Sequence, residues 1–187
     1  MALKATIHKA QLQIADMDRG VYAEHALTIA RHPSENDERM VLRVLAFALH
    51  VPANDDRGML ELAKSLWDAD EPDLWQRDLT GQIVHWMELG QPDDRRLHKA
   101  SSRAERVTVL SHTASTPIWW AGIANKLGRA NKVAVWQIAP APIQELAALV
   151  ARTWQWQITV QDGTVWVNQG EHTVELTPTL LKAAGPG

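Results

Sequence analysis

The sequence predicts an α/β (α+β) fold: a central mixed β-sheet flanked by helices, with antiparallel strands added at both chain ends. Three observations lead there. Residues 5–14 and 22–30 alternate apolar and polar side chains around the turn-like Asp16-Met17-Asp18-Arg19-Gly20, the signature of a long hairpin. From about residue 82 to residue 153, short β-branched runs alternate with amphipathic stretches, the rhythm of a βαβαβ unit. The tail, from Trp154 onward, breaks into short strands around Asp162-Gly163, a strong hairpin turn. At 187 residues with 45% apolar content, one domain spanning 1–187 can close a core without disulfides or a structural metal.

Each element has a local reason. His32-Pro33-Ser34 followed by acids reads as a helix start with Ser34 as cap, and Val41, Leu42, Leu45 and Leu49 form its apolar stripe as far as His50. Residues 59–66, 74–77 and 82–89 are strand candidates, the last set off by the turn at Thr80-Gly81. Pro92-Asp93-Asp94 opens a second helix to about Glu105. A β run at 107–111, a helix at 117–129, a strand at 133–138 and a helix at 142–153 follow, and 154–161, 164–168 and 173–176 form a terminal meander.

Composition removes several function classes. With no cysteine, thiol nucleophiles and thiolate metal centres are excluded. No apolar run reaches the 18 or so residues of a membrane span, and the start lacks the apolar stretch of a signal peptide, so the chain is expected to be soluble and cytoplasmic. The net charge of −3 argues against a protein that coats polyanions, but it conceals a division. Residues 54–94 hold eleven acids and three basic residues, whereas 95–132 hold eight basic residues and one acid. Such blocks are either solvated faces or a metal-binding edge beside a phosphate-binding edge.

The candidate chemistry lies in carboxylates at unexpected positions. Glu38 shares the helix stripe of Val41, Leu42 and Leu45, and Glu88 ends its strand on the side of Val84 and Trp86. Asp73 follows Pro72 at the start of a strand. If these three converge, they offer a hard divalent cation the oxygen ligands it prefers, and such a cation can activate water and neutralise a phosphodiester. Glu35 reads as an ordinary first-turn acid, and His85, alternating with Ile83 and Met87, as a hydrogen-bonded packing residue. Arg96, Lys99 and Arg103 recur at helical spacing after Glu88, as a phosphate-facing or a solvated surface. The period-two Trp154 and Trp156, with Trp166, point into a core or mark edges where a second chain adds a strand.

Several segments taken together resemble the bacterial YaeQ family: Arg31-His32-Pro33-Ser34-Glu35 with Asp37-Glu38-Arg39-Met40, then Asp70-Glu71-Pro72-Asp73-Leu74-Trp75, then Trp86-Met87-Glu88-Leu89-Gly90-Gln91-Pro92-Asp93. Leu79-Thr80-Gly81, Asn125-Lys126-Leu127 and Gln161-Asp162-Gly163 extend the match along nearly the whole chain. The family is similar in fold to the PD-(D/E)XK nucleases, which implies a restriction-endonuclease-like core and metal-dependent phosphodiester hydrolysis. Under that resemblance Glu38, Asp73 and Glu88 become the metal ligands, Mg2+ the cofactor and nucleic acid the substrate. The pattern departs at Gly90, where the nuclease lysine would stand; Gln91 or Lys99 would then have to position the water. Arg96, Lys99, Arg103, Lys126 and Arg129 become the nucleic-acid-binding set. The alternative is an inactive member that keeps the fold to bind nucleic acid or a protein partner.

Overall fold

The computed structural model describes residues 4–186. It opens with the expected hairpin, β1 (Thr6–Asp16) and β2 (Val21–Arg31), followed by helix α1 (Asp37–His50). The helix cap is Asn36, whose side chain accepts from the Arg39 amide, and not Ser34 as the sequence suggested. Strand β3 (Leu60–Leu62) is shorter than the predicted 59–66, because the chain turns into a 3-10 segment at Ser65–Trp67 with Ser65 at φ +53°. Strands β4 (Leu74–Arg77), β5 (Ile83–Leu89), β6 (Ala104–Ser111) and β7 (Val133–Gln137) then alternate with α2 (Asp94–Arg103) and α3 (Thr116–Ile123). The last half of the predicted third helix is a separate 3-10 turn at Ala124–Leu127, and α4 (Pro140–Ala147) stops well before Thr153. The chain closes with β8 (Thr153–Gln161), β9 (Thr164–Gln169), β10 (His172–Leu176) and β11 (Thr179–Lys182), the last of them not foreseen.

Apart from β11, the terminal strands do not extend the central sheet. They form their own five-stranded sheet in the order β10-β9-β8-β1-β2, in which β1 and β8 run parallel. The second sheet has the order β11-β7-β6-β5-β4-β3, with β5, β6 and β7 parallel. Parallel neighbours need crossover connections, and α2 and α3 supply them. The fold is thus α+β with two mixed sheets, where the sequence had suggested one.

Burial defines the layers. Residues Met40 to Ala48 of α1 are all buried, as expected of a helix packed on both sides. One core cluster joins α1 and α4 to the inward residues of the five-stranded sheet, such as Leu12, Trp154 and Trp156, and to Leu74, Met87, Leu89 and Leu110 of the six-stranded sheet. A second cluster on the far face joins Trp86, Val107 and Val109 to Leu97 of α2 and to Leu127, with Trp119 and Trp120 of α3 packed against it. From one side to the other the layers are therefore sheet, α1 with α4, sheet, and α2 with α3. The amino end of α1 consequently meets the carboxyl ends of β5 and β6, the place where open α/β sheets present ligand sites.

Candidate functional site

At that junction a cavity of about 170 Å³ is lined by Ser34, Asn36, Glu38, Arg39, Leu42, Leu89, Gly90, His112 and Thr113. Glu38 stands in the first turn of α1, and its Oε2 lies 3.4 Å from Nε2 of the buried His112. Burial lowers the His112 pKa from its ordinary value, against the opposing pull of Glu38, so the imidazole is neutral at pH 7. Gln91 reaches across the same edge and donates to Thr113 Oγ1 and Ser115 Oγ, both at 2.7 Å.

Asp73 is buried beneath this edge. Its Oδ1 accepts from the Arg39 guanidinium and the Ser65 hydroxyl, and its Oδ2 accepts from the Leu89 amide at 2.7 Å. Arg39 also donates to Glu35 Oε2 at 2.7 Å, and Glu35 Oε1 receives Arg43 at 2.6 Å. Glu35 is therefore no ordinary first-turn acid: it lies ahead of α1 and is buried between two arginines. Burial works against the Arg39 charge, but Asp73 and Glu35 together raise its pKa.

Glu88 continues the apolar side of β5 as the alternation implied, yet that side faces α2. Its Oε1 accepts from Trp86 Nε1 at 2.8 Å and from Arg96 Nε at 2.6 Å. Burial and the neighbouring Asp73 charge push its pKa up, and Arg96 and the indole act in the opposite direction.

The three acids thus do not gather. Glu38 belongs to the α1 side of the sheet and Glu88 to the α2 side, with Asp73 held between them by Arg39. Among the described residues no three His, Asp or Glu side chains come together at metal-ligand spacing. A divalent cation needs several oxygens turned to one point. The donor set therefore does not fit Mg2+ as it stands, because both oxygens of Asp73 and one of Glu88 already accept from protein donors. Gly90 has φ +98°, a conformation that favours glycine over any lysine, so the departure from the nuclease pattern is built into the turn.

Over residues 1–178 the chain matches the family model described as YaeQ protein. The chain belongs to the YaeQ family. It is 38% identical over 180 residues to "Uncharacterized protein YaeQ" of Salmonella typhi and 37% identical to that of Escherichia coli K12, in each case over 96% of this chain and 97% of the relative. Among solved structures, the crystal structure of YaeQ protein from Xanthomonas axonopodis pv. citri has a TM-score of 0.90 at 43% identity, covering 96% of this chain and 99% of that one. The crystal structure of YaeQ protein from Pseudomonas syringae has a TM-score of 0.89 at 34% identity, covering 96% and 97%.

In this YaeQ family member the start of the basic block borders the acidic loop, with Arg96 half-buried and Lys99 and Arg103 exposed. Arg96 donates to Glu88 and to the carbonyls of Ala69 and Glu71, Lys99 Nζ lies 3.4 Å from Asp70 Oδ1, and Arg103 donates to the Asp70 carbonyl. The acidic loop and the basic helix are therefore partners of each other. Lys126 and Arg129 are exposed beyond them, with Lys126 Nζ 3.8 Å from Asp94.

Beside Lys126 and Arg129 lies a surface that the sequence did not flag. Helix α3, Thr-Pro-Ile-Trp-Trp-Ala-Gly-Ile, has no charged residue and buries only Thr116. Ile118 is 79% exposed, Pro117 and Ala121 are exposed, and Trp119 and Trp120 are half-buried. The indole of Trp119 donates to the Pro92 carbonyl at 3.0 Å, which fixes α3 against the start of α2. Arg39, Glu35, His112 and Ser65 were also missed as site residues. Only the Glu35 to Arg39 spacing of four gave a local signal, and Ser65 gave none. No helix among the described residues is long and apolar enough to cross a membrane.

Proposed function

We propose that this chain is a binding protein built on a nuclease-like fold, and that it docks a protein partner through α3 without hydrolysing phosphodiesters. The observation that carries this reading is α3 itself. A helix without charged residues normally lies in a core, whereas this one leaves Ile118 79% exposed. Exposed Lys126 and Arg129 follow it in the chain, so the partner is an acidic, amphipathic protein segment whose apolar side meets Ile118 and Trp120. Against hydrolysis stand the arginines on Asp73 and Glu88. Arg96 is committed to Glu88 and loop carbonyls, and the exposed Lys99 and Arg103 border Asp70, whose charge opposes a phosphate backbone.

The test places a photo-crosslinking amino acid at Ile118 in bacterial cells, then purifies the captured protein and measures its affinity for the wild-type, Ile118→Asp and Lys99→Glu chains. Ile118→Asp is expected to weaken binding about tenfold or more, since it sets a charge in an apolar contact, and Lys99→Glu to leave it unchanged. Equal affinity for Ile118→Asp would overturn the docking surface. Cleavage of DNA or RNA by purified chain with Mg2+ or Mn2+ would overturn the non-hydrolytic reading. Affinity for an oligonucleotide that falls steeply with salt would point to nucleic acid as the partner instead.

A further inference from the structure

The opposite end of the six-stranded sheet holds a second open cavity, of about 380 Å³, lined by Pro52, Asn54, Arg57, Gln76, Val84, Glu105 and Arg106. Its charges differ from those of the Asp73 edge in one respect. There each structural arginine has a carboxylate, whereas Arg106 pairs with no carboxylate among the described residues. Among the described residues its hydrogen-bonded side-chain partner is His85, whose Nδ1 lies 3.1 Å from Arg106 Nη2. His85 in turn is buried and bonded through Nε2 to Thr108 Oγ1 at 2.7 Å. Burial first, then Arg106 and His50, hold His85 well below its ordinary pKa, so it meets the guanidinium as a neutral ring.

The other charges around Arg106 do not cancel it. Glu105 is held by Arg57 in a two-pronged pair, with Nη2 to Oε1 at 2.7 Å and Nη1 to Oε2 at 2.8 Å, and Oε1 also accepts from Gln82. Asp78, the next acid, accepts from the backbone and hydroxyl of Thr80 and from the Gln82 amide. Arg19 is turned to Asp16 and to the carbonyls that end α1. Gln76 donates its amide nitrogen to the carbonyls of Arg57 and Gly58, and Asn54 offers its amide oxygen to the Asp56 backbone. Among the described residues Arg106 is thus the cation of this cavity with no carboxylate partner, its exposed guanidinium presenting to solvent a planar fork suited to an oxyanion.

We infer that this cavity is a binding site for a small molecule carrying an oxyanion, phosphate or carboxylate, gripped by Arg106 with Arg57 at its rim. Pro52 and Val84 give the rest of that molecule an apolar wall. The site lies at the far end of the sheet from Glu38 and Asp73 and on a different surface from α3, so it stands or falls independently of the docking reading.

The probes are inorganic phosphate and acetate, titrated separately into the full chain at constant ionic strength and followed by NMR of the histidine side chains and by calorimetry. Saturable binding that perturbs the His85 resonances is expected, with the tighter of the two probes naming the oxyanion. Arg106→Gln should weaken it about tenfold or more, the scale of losing a charge-assisted pair of hydrogen bonds. Glu105→Gln should strengthen it, because it removes a competing negative charge and releases Arg57. Circular dichroism and thermal melting establish that each variant is folded, and Arg106→Lys, which keeps the charge but not the fork, should fall between wild type and Arg106→Gln. Neither probe moving His85 in the wild-type chain, or equal affinity in Arg106→Gln and Glu105→Gln, overturns the site.

Discussion

The two ends of the six-stranded sheet handle charge in opposite ways. At the carboxyl end of β5, three acids sit in or near the core and each structural arginine reaches one of them: Arg39 holds Asp73 and Glu35, Arg43 holds Glu35, and Arg96 holds Glu88. At the amino end, Arg106 leans on a neutral histidine, and His50 and His85 are kept uncharged, their rings 5.7 Å apart. The first arrangement closes on itself and ties three layers together. The second leaves a cation unmatched. A completed ion pair is a structural clamp, whereas an unmatched cation facing a cavity is an invitation to a ligand. Two of the three candidate carboxylates, Asp73 and Glu88, are thus already paired with arginines, while Glu38 faces the cavity beside His112.

The largest effect should come from breaking the clamp. Asp73→Asn leaves the half-buried Arg39 with Glu35 as its remaining carboxylate partner, so the loss should be about 3 kcal/mol, the low end for breaking a buried pair from one side. Urea unfolding measures this directly, and hydrogen exchange at the Leu89 amide, which donates to Asp73, should quicken. Replacing both partners, Arg39→Met with Asp73→Leu, should recover only part of the loss, because it removes the desolvation cost but leaves the Leu89 amide without an acceptor and Glu35 Oε2 without its donor. If Asp73→Asn is neutral in stability, the clamp is not structural, and the metal-site reading of Asp73 regains its ground.

How much of this was legible in the sequence follows from the range over which each feature is encoded. The burial of Glu88 and the face of Glu38 were readable, since period two and period 3.6 are local. The partners that disarm the acids were not. Arg96 looks from sequence like one third of a surface stripe with Lys99 and Arg103, and only the fold brings the acidic loop at Asp70 and Glu71 under that stripe. The separate five-stranded sheet was equally hidden, because it depends on β1 pairing in parallel with β8, Lys9 opposite Thr153 and Asp16 opposite Val160. No local pattern carries a pairing across most of the chain. Strand β11 went unseen because its short Thr-Leu-Leu-Lys run shows no alternation. The resemblance of motifs implied metal-ligand roles for Glu38, Asp73 and Glu88, but roles depend on who faces whom, which motifs do not encode.

A second, smaller effect probes the amino end. Burial, reinforced by the charges of Arg19 and Arg106, lowers the His50 pKa from its ordinary value to about 4, against a hydrogen bond to the Ala46 carbonyl that favours the charged ring. The unfolded chain then binds a proton more readily than the folded one over the interval between these two values. Stability is whole above about pH 6.5 and is lost as the pH falls toward 4, by up to about 3 kcal/mol for this group. His50→Gln should flatten that part of the profile, read as urea midpoints at neutral and mildly acidic pH. An unchanged acid slope would mean that His85, and not His50, carries the acid sensitivity.

The smallest effect belongs to Glu88, and its sign distinguishes the two ends most cleanly. Here an acid has its folded pKa raised, by burial and then by Asp73, so the folded chain holds a proton that the unfolded chain releases. In the interval just above the ordinary glutamate value, stability therefore falls as the pH rises, the reverse of the His50 trend. Glu88→Gln keeps an oxygen for Arg96 and Trp86 but cannot ionise. Its stability relative to wild type should improve as the pH is raised from the ordinary glutamate value toward neutrality. Thermal melting of both chains across that span decides it. A relative loss of stability in the variant over the same span would mean that Arg96 outweighs burial and holds Glu88 charged. The carboxyl end would then be a fully ionised clamp, and the contrast with the unmatched Arg106 would be sharper still.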